Sequence, residues 1–233
     1  MSLVSLMAGV LSSASGGGGG GSDPTSISSI RNRYKATDLV LSDNDPVTTW
    51  VDSIGSDDLT SSGTARPTYK ANAGDPYLEF DGTNDVLSNL TVAGGWGDFT
   101  AVVIVNILTT GVDFERILDM SSVSLHTMAA GTIQAAVLGA GPAEAMPARP
   151  TGFMAVYMER NGTSMRVRID GSESTDTVGT SSTSPQILIG EFVSGGFNKN
   201  MQVKEVILYN NNMSVLNFGI LESYVLSEYG LTL

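Results

Sequence analysis

Tyr77-Leu-Glu-Phe-Asp-Gly-Thr-Asn-Asp-Val-Leu87 is the stretch whose reading decides the fold. Strand alternation puts Leu78 and Phe80 on one side and Tyr77, Glu79 and Asp81 on the other. Gly82 then offers a residue free to take positive φ, and the Thr83 and Asn84 side chains can bond nearby backbone, so the chain turns. It resumes as a second strand over residues 86–92. A corner this rich in acid and amide groups has three uses. It can hold the edge of a β-sandwich, bind a cation, or carry catalytic carboxylates.

Working outward, the pattern stays that of strands joined by turns. Asp23-Pro24 reads as a cap and first position, with a short helical turn over 25–33, followed by strands at 39–41 and 47–51 and a polar loop at 52–69. Downstream, 99–108 is a β-branched run, and 116–120, 123–128 and 132–138 are shorter strands. Residues 139–150 are a loop rich in Ala, Gly and Pro, and 172–184, nearly all Ser, Thr, Gly and acid, are a surface loop. Between these, 153–159 and 165–170 form a hairpin turning at Asn161-Gly162. Strands at 186–190 and 203–209 lead to one helix, 215–228, capped by Ser214, with Leu216, Ile220, Tyr224 and Val225 at helical spacing and Gly230 at its C-cap. About a dozen strands with no βαβ alternation make an all-β, antiparallel two-sheet sandwich of jelly-roll type with a C-terminal helix.

The 233 residues suffice for one sizeable core, and charged residues are sparse at 15%. Twenty-four acidic against 12 basic residues give a net charge of −12, which opposes nucleic-acid binding and attachment to an anionic membrane surface. A divalent cation or a neutral glycan meets no such field. There is no cysteine, so packing alone must hold the core. No run approaches the ~18 apolar residues of a membrane span.

The N-terminus differs from the rest. Residues 1–11 are apolar with interspersed serines, and 16–21 are six glycines. A signal peptide would need a basic residue ahead of the apolar part, and the first is Arg31. The segment therefore reads as an extended arm, residues 1–24, ahead of a sandwich domain, residues 25–233. Leu3, Val4, Leu6, Met7, Val10 and Leu11 form an apolar hook on a glycine tether, expected to bury against neighbouring subunits.

Taken together, Trp50-Val-Asp-Ser-Ile-Gly55, Arg66-Pro-Thr-Tyr69, Leu78 to Asp85, 99–105, 153–157, 167–171, 188–190, 205–209 and Ser227-Glu-Tyr-Gly-Leu231 resemble, in order and spacing, a concanavalin A-like, laminin-G-like jelly roll. The resemblance covers roughly residues 33–233. With its glycine-rich arm, the arrangement is similar to that of bacteriophage virion proteins carrying such domains. It implies a virion structural protein (head decoration, fibre or tail accessory) on the particle surface, joined to other virion subunits through residues 1–21. The implied protein is a homo-oligomer and displays a lectin-like domain for adhesion to glycans. A free secreted lectin is the alternative, and a glycoside hydrolase the third reading.

Hydrolysis is tested at the corner. Glucanases of this fold carry Glu-x-Asp-x-x-Glu, and retaining enzymes need two suitably placed carboxyls. Glu79-Phe-Asp81 begins that pattern, but Asn84 stands third, and an amide cannot transfer the proton. The expectation is therefore no enzymatic activity. The one histidine, His126, reads as a hydrogen-bonded strand residue, and with no cysteine a zinc site is out. No cofactor is expected apart from calcium, for which Asp81, Asn84 and Asp85 are the candidate ligands, laminin-G-like modules often carrying that ion. Trp96, between glycines, is the candidate for glycan stacking; the other reading tucks it under a sheet edge.

Overall fold

The computed structural model describes residues 23–92, 94, 96–109, 112–120, 123–137, 150–178, 186–192 and 195–233. The hook residues Leu3, Val4, Leu6, Met7, Val10 and Leu11, the glycine run and most of the 139–150 loop lie outside them. Strands β1 (Ile30–Lys35), β2 (Thr49–Trp50), β3 (Leu59–Thr60), β4 (Thr68–Lys70), β5 (Tyr77–Asp81), β6 (Leu87–Asn89) and β7 (Phe99–Ile107) come first. They are followed by β8 (Glu115–Asp119), β9 (Val123–Thr127), β10 (Ile133–Val137), β11 (Met154–Asn161), β12 (Ser164–Ile169), β13 (Ser172–Thr177), β14 (Ile187–Ile189), β15 (Asn200–Tyr209) and the helix α1 (Val215–Tyr229).

All pairings are antiparallel. One sheet, here sheet A, runs β13-β12-β11-β7-β15-β5-β4 with β1 also on β15; sheet B runs β10-β9-β8-β14-β6-β3-β2. Their facing sides share one core, including Trp50, Leu78, Phe80, Leu87, Phe99, Val103, Ile117, Val156, Ile189 and Val206. A second apolar layer lies between the far side of sheet A and α1, built on Val102, Tyr157, Ile207, Tyr209, Leu221, Tyr224 and Val225. The two-sheet antiparallel sandwich with a C-terminal helix is thus the architecture, and it fits the jelly-roll class.

The 77–87 stretch alternates as its sequence requires, with Leu78 and Phe80 buried and Tyr77 and Glu79 half-buried. Its turn is not the loop of a hairpin. β5 pairs with β4 and β15 in sheet A, whereas β6 pairs with β3 and β14 in sheet B, so residues 82–86 carry the chain from one sheet to the other.

Other local expectations shift. Asp23 does cap a 3-10 turn, Pro24–Ser26, its Oδ1 accepting from Thr25 N at 2.9 Å, but the helical reading of 25–33 gives way to β1. Residues 39–41 pair with no strand, and Val40 is 99% exposed. Part of the 172–184 loop is β13, an edge strand held only by β12; its polar side chains suit an edge that faces water. Hairpin β11–β12 turns one residue late: Asn161 and Ser164 still pair, and Gly162 (φ +58) and Thr163 form the loop. On α1, Ser214 Oγ accepts from Asn217 N and Gly230 closes the C-terminus at φ +67. Leu216, expected inward, is 76% exposed; Leu221 fills the buried position.

Candidate functional site

At the 82–86 corner the acidic groups are committed to the backbone. Asp81 Oδ1 accepts from Thr83 N (2.7 Å) and Asn84 N (3.3 Å), Asp85 Oδ2 accepts from Asp81 N (2.8 Å), and Asn84 Nδ2 donates to Thr64 Oγ1 (3.1 Å). Gly82 sits at φ +75, and a Cβ there would lie 2.8 Å from the Asn200 backbone nitrogen, so the corner needs glycine for both conformation and space. Burial pushes the Asp85 carboxyl up to about 6; the Asp81 N–H bond opposes this and the Asp81 charge adds to it. Amide hydrogens point at the oxygens that a cation would need. Asp81, Asn84 and Asp85 act here as turn formers, and among the described residues no three His, Cys, Asp or Glu side chains are grouped to hold a metal.

Trp96 is not available for stacking against a sugar. It is 3% exposed, its Nε1 donates to Gln186 O at 3.3 Å, Phe99 meets it edge-on at 6.3 Å, and the Arg31 guanidinium lies 4.0 Å from its ring centroid. The glycine-flanked loop folds inward because the indole completes the core and Arg31 covers its outer face.

A cleft opens instead at the other end of the decisive stretch. Tyr77, Asp43, Asn44, Lys70, Ala71, Asn72 and Ala73 line an open hollow of about 490 Å³. Its frame is the β4–β5 pair, in which Lys70 stands opposite Tyr77, with the 71–76 connection above it. That connection is forced into the left-handed region at Asn72 (φ +39), Ala73 (φ +53) and Gly74 (φ +98), as is Asn44 (φ +69) across the cleft. The two loops are tied together. Asn44 N donates to Tyr69 O (2.8 Å), Asp43 Oδ1 accepts from Ala71 N (3.0 Å), and Lys70 Nζ donates to Asn44 Oδ1 (2.8 Å). Lys70 also pairs with Glu79 at 3.4 Å, which leaves its charge matched. The Tyr77 ring rests against Phe153 at 5.9 Å, and partial burial, then the Glu79 carboxylate, raise its hydroxyl above the ordinary range. A half-exposed aromatic ring beside an amide, a carboxylate and an ammonium can stack a ring and hydrogen-bond hydroxyls. The alternation of 77–81 pointed Tyr77 outward; the partner residues come from two loops whose approach no local signal announces.

The remaining buried charges are mostly paired. Glu205, fully buried, accepts from Arg33 Nε (2.7 Å), Tyr224 OH (2.8 Å) and Tyr229 OH (2.7 Å), which together pin β1, β15 and α1. Burial and then the Glu205 charge raise both tyrosines. Glu159 is held by Tyr157 OH, Met213 N (2.8 Å) and Arg166 (3.1 Å). Lys199, also fully buried, reaches Glu115 at 2.5 Å and Thr109 O at 2.6 Å. His126 is buried as expected, with Nδ1 3.2 Å from Ser124 Oγ, and burial followed by the Arg116 charge lowers it to about 4.

No family model and no curated protein sequence matches this chain. Solved structures do. A Trypanosoma rangeli sialidase in complex with sialic acid superimposes with a TM-score of 0.64 at 15% identity, over 87% of this chain and 34% of that one. Domain 4 of AbnA, a GH43 extracellular arabinanase from Geobacillus stearothermophilus, in complex with arabinotriose, gives a TM-score of 0.59 at 10% identity, over 85% of this chain and 98% of that one. The botulinum neurotoxin serotype D ligand binding domain in complex with N-acetylneuraminic acid gives 0.55 at 12%, over 80% and 51%. The chain spans about a third of the sialidase chains, and identities this low establish the fold alone. They do overturn one inference. The missing third carboxylate at Asn84 ruled out enzymes by a single glucanase pattern, yet the structures sharing this sandwich include sialidases and a domain of an arabinanase. The exclusion of enzymatic activity is therefore withdrawn; the three-way resemblance is of a β-sandwich common to glycan-handling proteins.

Proposed function

We propose that this chain is a glycan-binding β-sandwich module and that the saccharide docks in the Tyr77 cleft. The observation that carries the reading is the cleft itself, about 490 Å³ of open space where an aromatic ring meets Asp43, Asn44, Lys70 and Asn72. Loop ties among Asp43, Asn44, Lys70 and Ala71 hold these groups before a ligand arrives, which lowers the ordering cost of binding. With Lys70 matched by Glu79 and the chain at −12 overall, an uncharged sugar is favoured over an anionic one. Support from fold comparison is that two neighbours, the arabinanase domain and the neurotoxin domain, are described in complex with arabinotriose and N-acetylneuraminic acid.

A glycan array followed by isothermal titration tests the site. Tyr77→Ala and Asn44→Ala should each weaken the best array ligand by about tenfold or more, the loss expected for one ring contact or one buried hydrogen bond. Wild-type affinity in both variants would place the sugar elsewhere.

The finer assignment is a homo-oligomeric protein on a bacteriophage particle, anchored by the apolar hook Leu3, Val4, Leu6, Met7, Val10 and Leu11 and presenting the cleft outward. The sequence supports it through an apolar segment tethered by six glycines to a domain whose first packed residues are Pro24 and Ile27. Removing residues 1–21 should abolish incorporation into particles while leaving the sandwich folded. Particles that still incorporate the truncated chain would sink the anchoring role.

A further inference from the structure

The Tyr77 cleft has a neighbour on the same face of sheet A. Leu78 pairs with Val203, Val203 with Val105, and Val105 with Met154, which sets Tyr77, Lys204 and Phe153 near one line across the strands. The register shift between Val203 and Glu205 takes Lys204 out of the ladder, and such a bulge re-aims a side chain. Lys204 Nζ thereby comes within 4.2 Å of the Phe153 centroid, and it pairs at 2.6 Å with Asp75 in the 71–76 connection above the cleft. The Tyr77 and Phe153 rings lie 5.9 Å apart, tilted by 56°.

Phe153 is also a wall of a second hollow, of about 210 Å³, lined by Ala155, Asp170, Leu231 and Thr232 among others. Its size decides its role. Independent ligand sites occupy roughly 300–1,000 Å³. The Tyr77 cleft, at about 490 Å³, is of that size, and the second hollow is below it. A small space one ring contact away from a full-sized one is an extension of it. Its chemistry matches. Phe153 and Leu231 are half-buried apolar walls, while Asp170 and Thr232 are exposed at the rim. Asp170 sits in the turn after β12 at φ +48, with Gly171 N bonded to Leu233 O at 3.1 Å. Its Oδ1 accepts from Thr232 Oγ1 at 2.6 Å, so the carboxylate is placed before a ligand arrives. A carboxylate can accept further hydrogen bonds, and it repels an anion, as Asp43 does in the cleft.

We propose that the ligand is a neutral oligosaccharide rather than a single sugar, an inference that rests on the saccharide reading of the Tyr77 cleft. One residue stacks on Tyr77, the chain crosses the Tyr77–Phe153 ring pair, and a further residue gives a hydroxyl to Asp170.

Isothermal titration of the full chain tests this with arabino-, cello-, manno- and galacto-oligosaccharides of one to four residues, and with the same chains ending in a uronic acid. In at least one neutral series a single added residue should tighten binding about tenfold or more, and a uronic acid at the end should weaken it. Asp170→Gly takes φ +48 without strain. It should remove the gain from the added residue and the discrimination against the acid, with the shortest binder unchanged. Tyr77→Ala should weaken every length. If Asp170→Gly lowers the melting temperature, Thr232→Lys, at an exposed position, occupies the same carboxylate and takes its place with the same expected loss. Affinity independent of length, or a length dependence that both variants keep, would overturn the extension and leave the cleft standing. Binding of acid-ended chains alone would overturn the neutral assignment. No binding in any of the four series would remove the extension and the cleft reading together.

Discussion

Two buried polar islands flank this sandwich, one on the far side of each sheet, and they are bonded to different degrees. Beneath α1, Glu205 is wholly buried and receives Arg33, Tyr224 and Tyr229. On sheet B, Arg116, His126 and Gln134 are buried almost as deeply but share fewer bonds: Gln134 meets His126, Arg116 Nε has Asp119 at 3.4 Å, and Arg116 Nη1 goes unmet. Removal of the centre of a hub leaves several groups stranded, whereas removal from a row breaks a single contact. The first island is a dense hub on one carboxylate, and the second is a looser row held by single contacts.

That contrast can be broken at several points. Glu205→Ala should have the largest effect, a loss of about 3 kcal/mol or more, because Arg33 and two tyrosine hydroxyls are left in a closed layer. Urea unfolding at neutral pH measures it, and a loss below ~1 kcal/mol would mean that the island is not framework. Acid should strike the other island next. His126 titrates at about 4 in the folded protein against an ordinary 6.5. The stability held by its neutral form is complete above pH 6.5 and lost as pH falls through 4, by about 3 kcal/mol at the limit. The difference between wild type and His126→Gln, followed through that window, should shrink toward acid; a constant difference would show that the imidazole charges freely.

Gln134→Leu should cost about 1 kcal/mol, since it removes the hydrogen bond to the buried His126 imidazole. A loss of about 3 kcal/mol, as large as that at Glu205, would erase the contrast. The corner adds a titration of opposite sign and similar size, about 3 kcal/mol at the limit. Asp85 has its folded pKa raised from 3.8 to about 6, so its contribution is present below 3.8 and is lost as pH rises through 6, opposite in sign to His126. Asp85→Asn stays neutral and can still accept from Asp81 N. The variant should match wild type in acid and melt higher above pH 6, which unmasks the His126 limb. An identical pH profile would place the Asp85 titration outside this window.

What could be read from residues alone followed the range of each signal. Alternation and capping are local, so the faces of 77–81 and the capping of α1 by Ser214 and Gly230 were legible. Pairing is not local. Gly-Thr-Asn-Asp marks a turn equally well in a hairpin or between sheets, and only the distant match of Asp81 with Asn200 separates the cases. β13 escaped notice because an edge strand with both faces near water has no apolar period to display. Trp96 misled through its glycine neighbours, which signalled exposure while Arg31, 65 positions earlier, closed over the ring. The cleft and the buried row are both products of register, the first from two loops meeting beside Tyr77, the second from three strands aligning Arg116, His126 and Gln134.

One further consequence follows from β15. It is flanked by β7 along nearly its whole length, while its other edge is divided, with Asn200–Val203 bound to β5 and Glu205–Tyr209 bound to β1, the change of partner falling at the irregularity between Val203 and Glu205. The strands made first therefore wait for one of the last. On a ribosome, β1, β4 and β5 emerge long before the strand that joins them to β7, and that edge of β7 stays open until residue 209 has left the tunnel. The two halves of sheet A, β13-β12-β11-β7 on one side and β5-β4 with β1 on the other, are joined only once β15 is present.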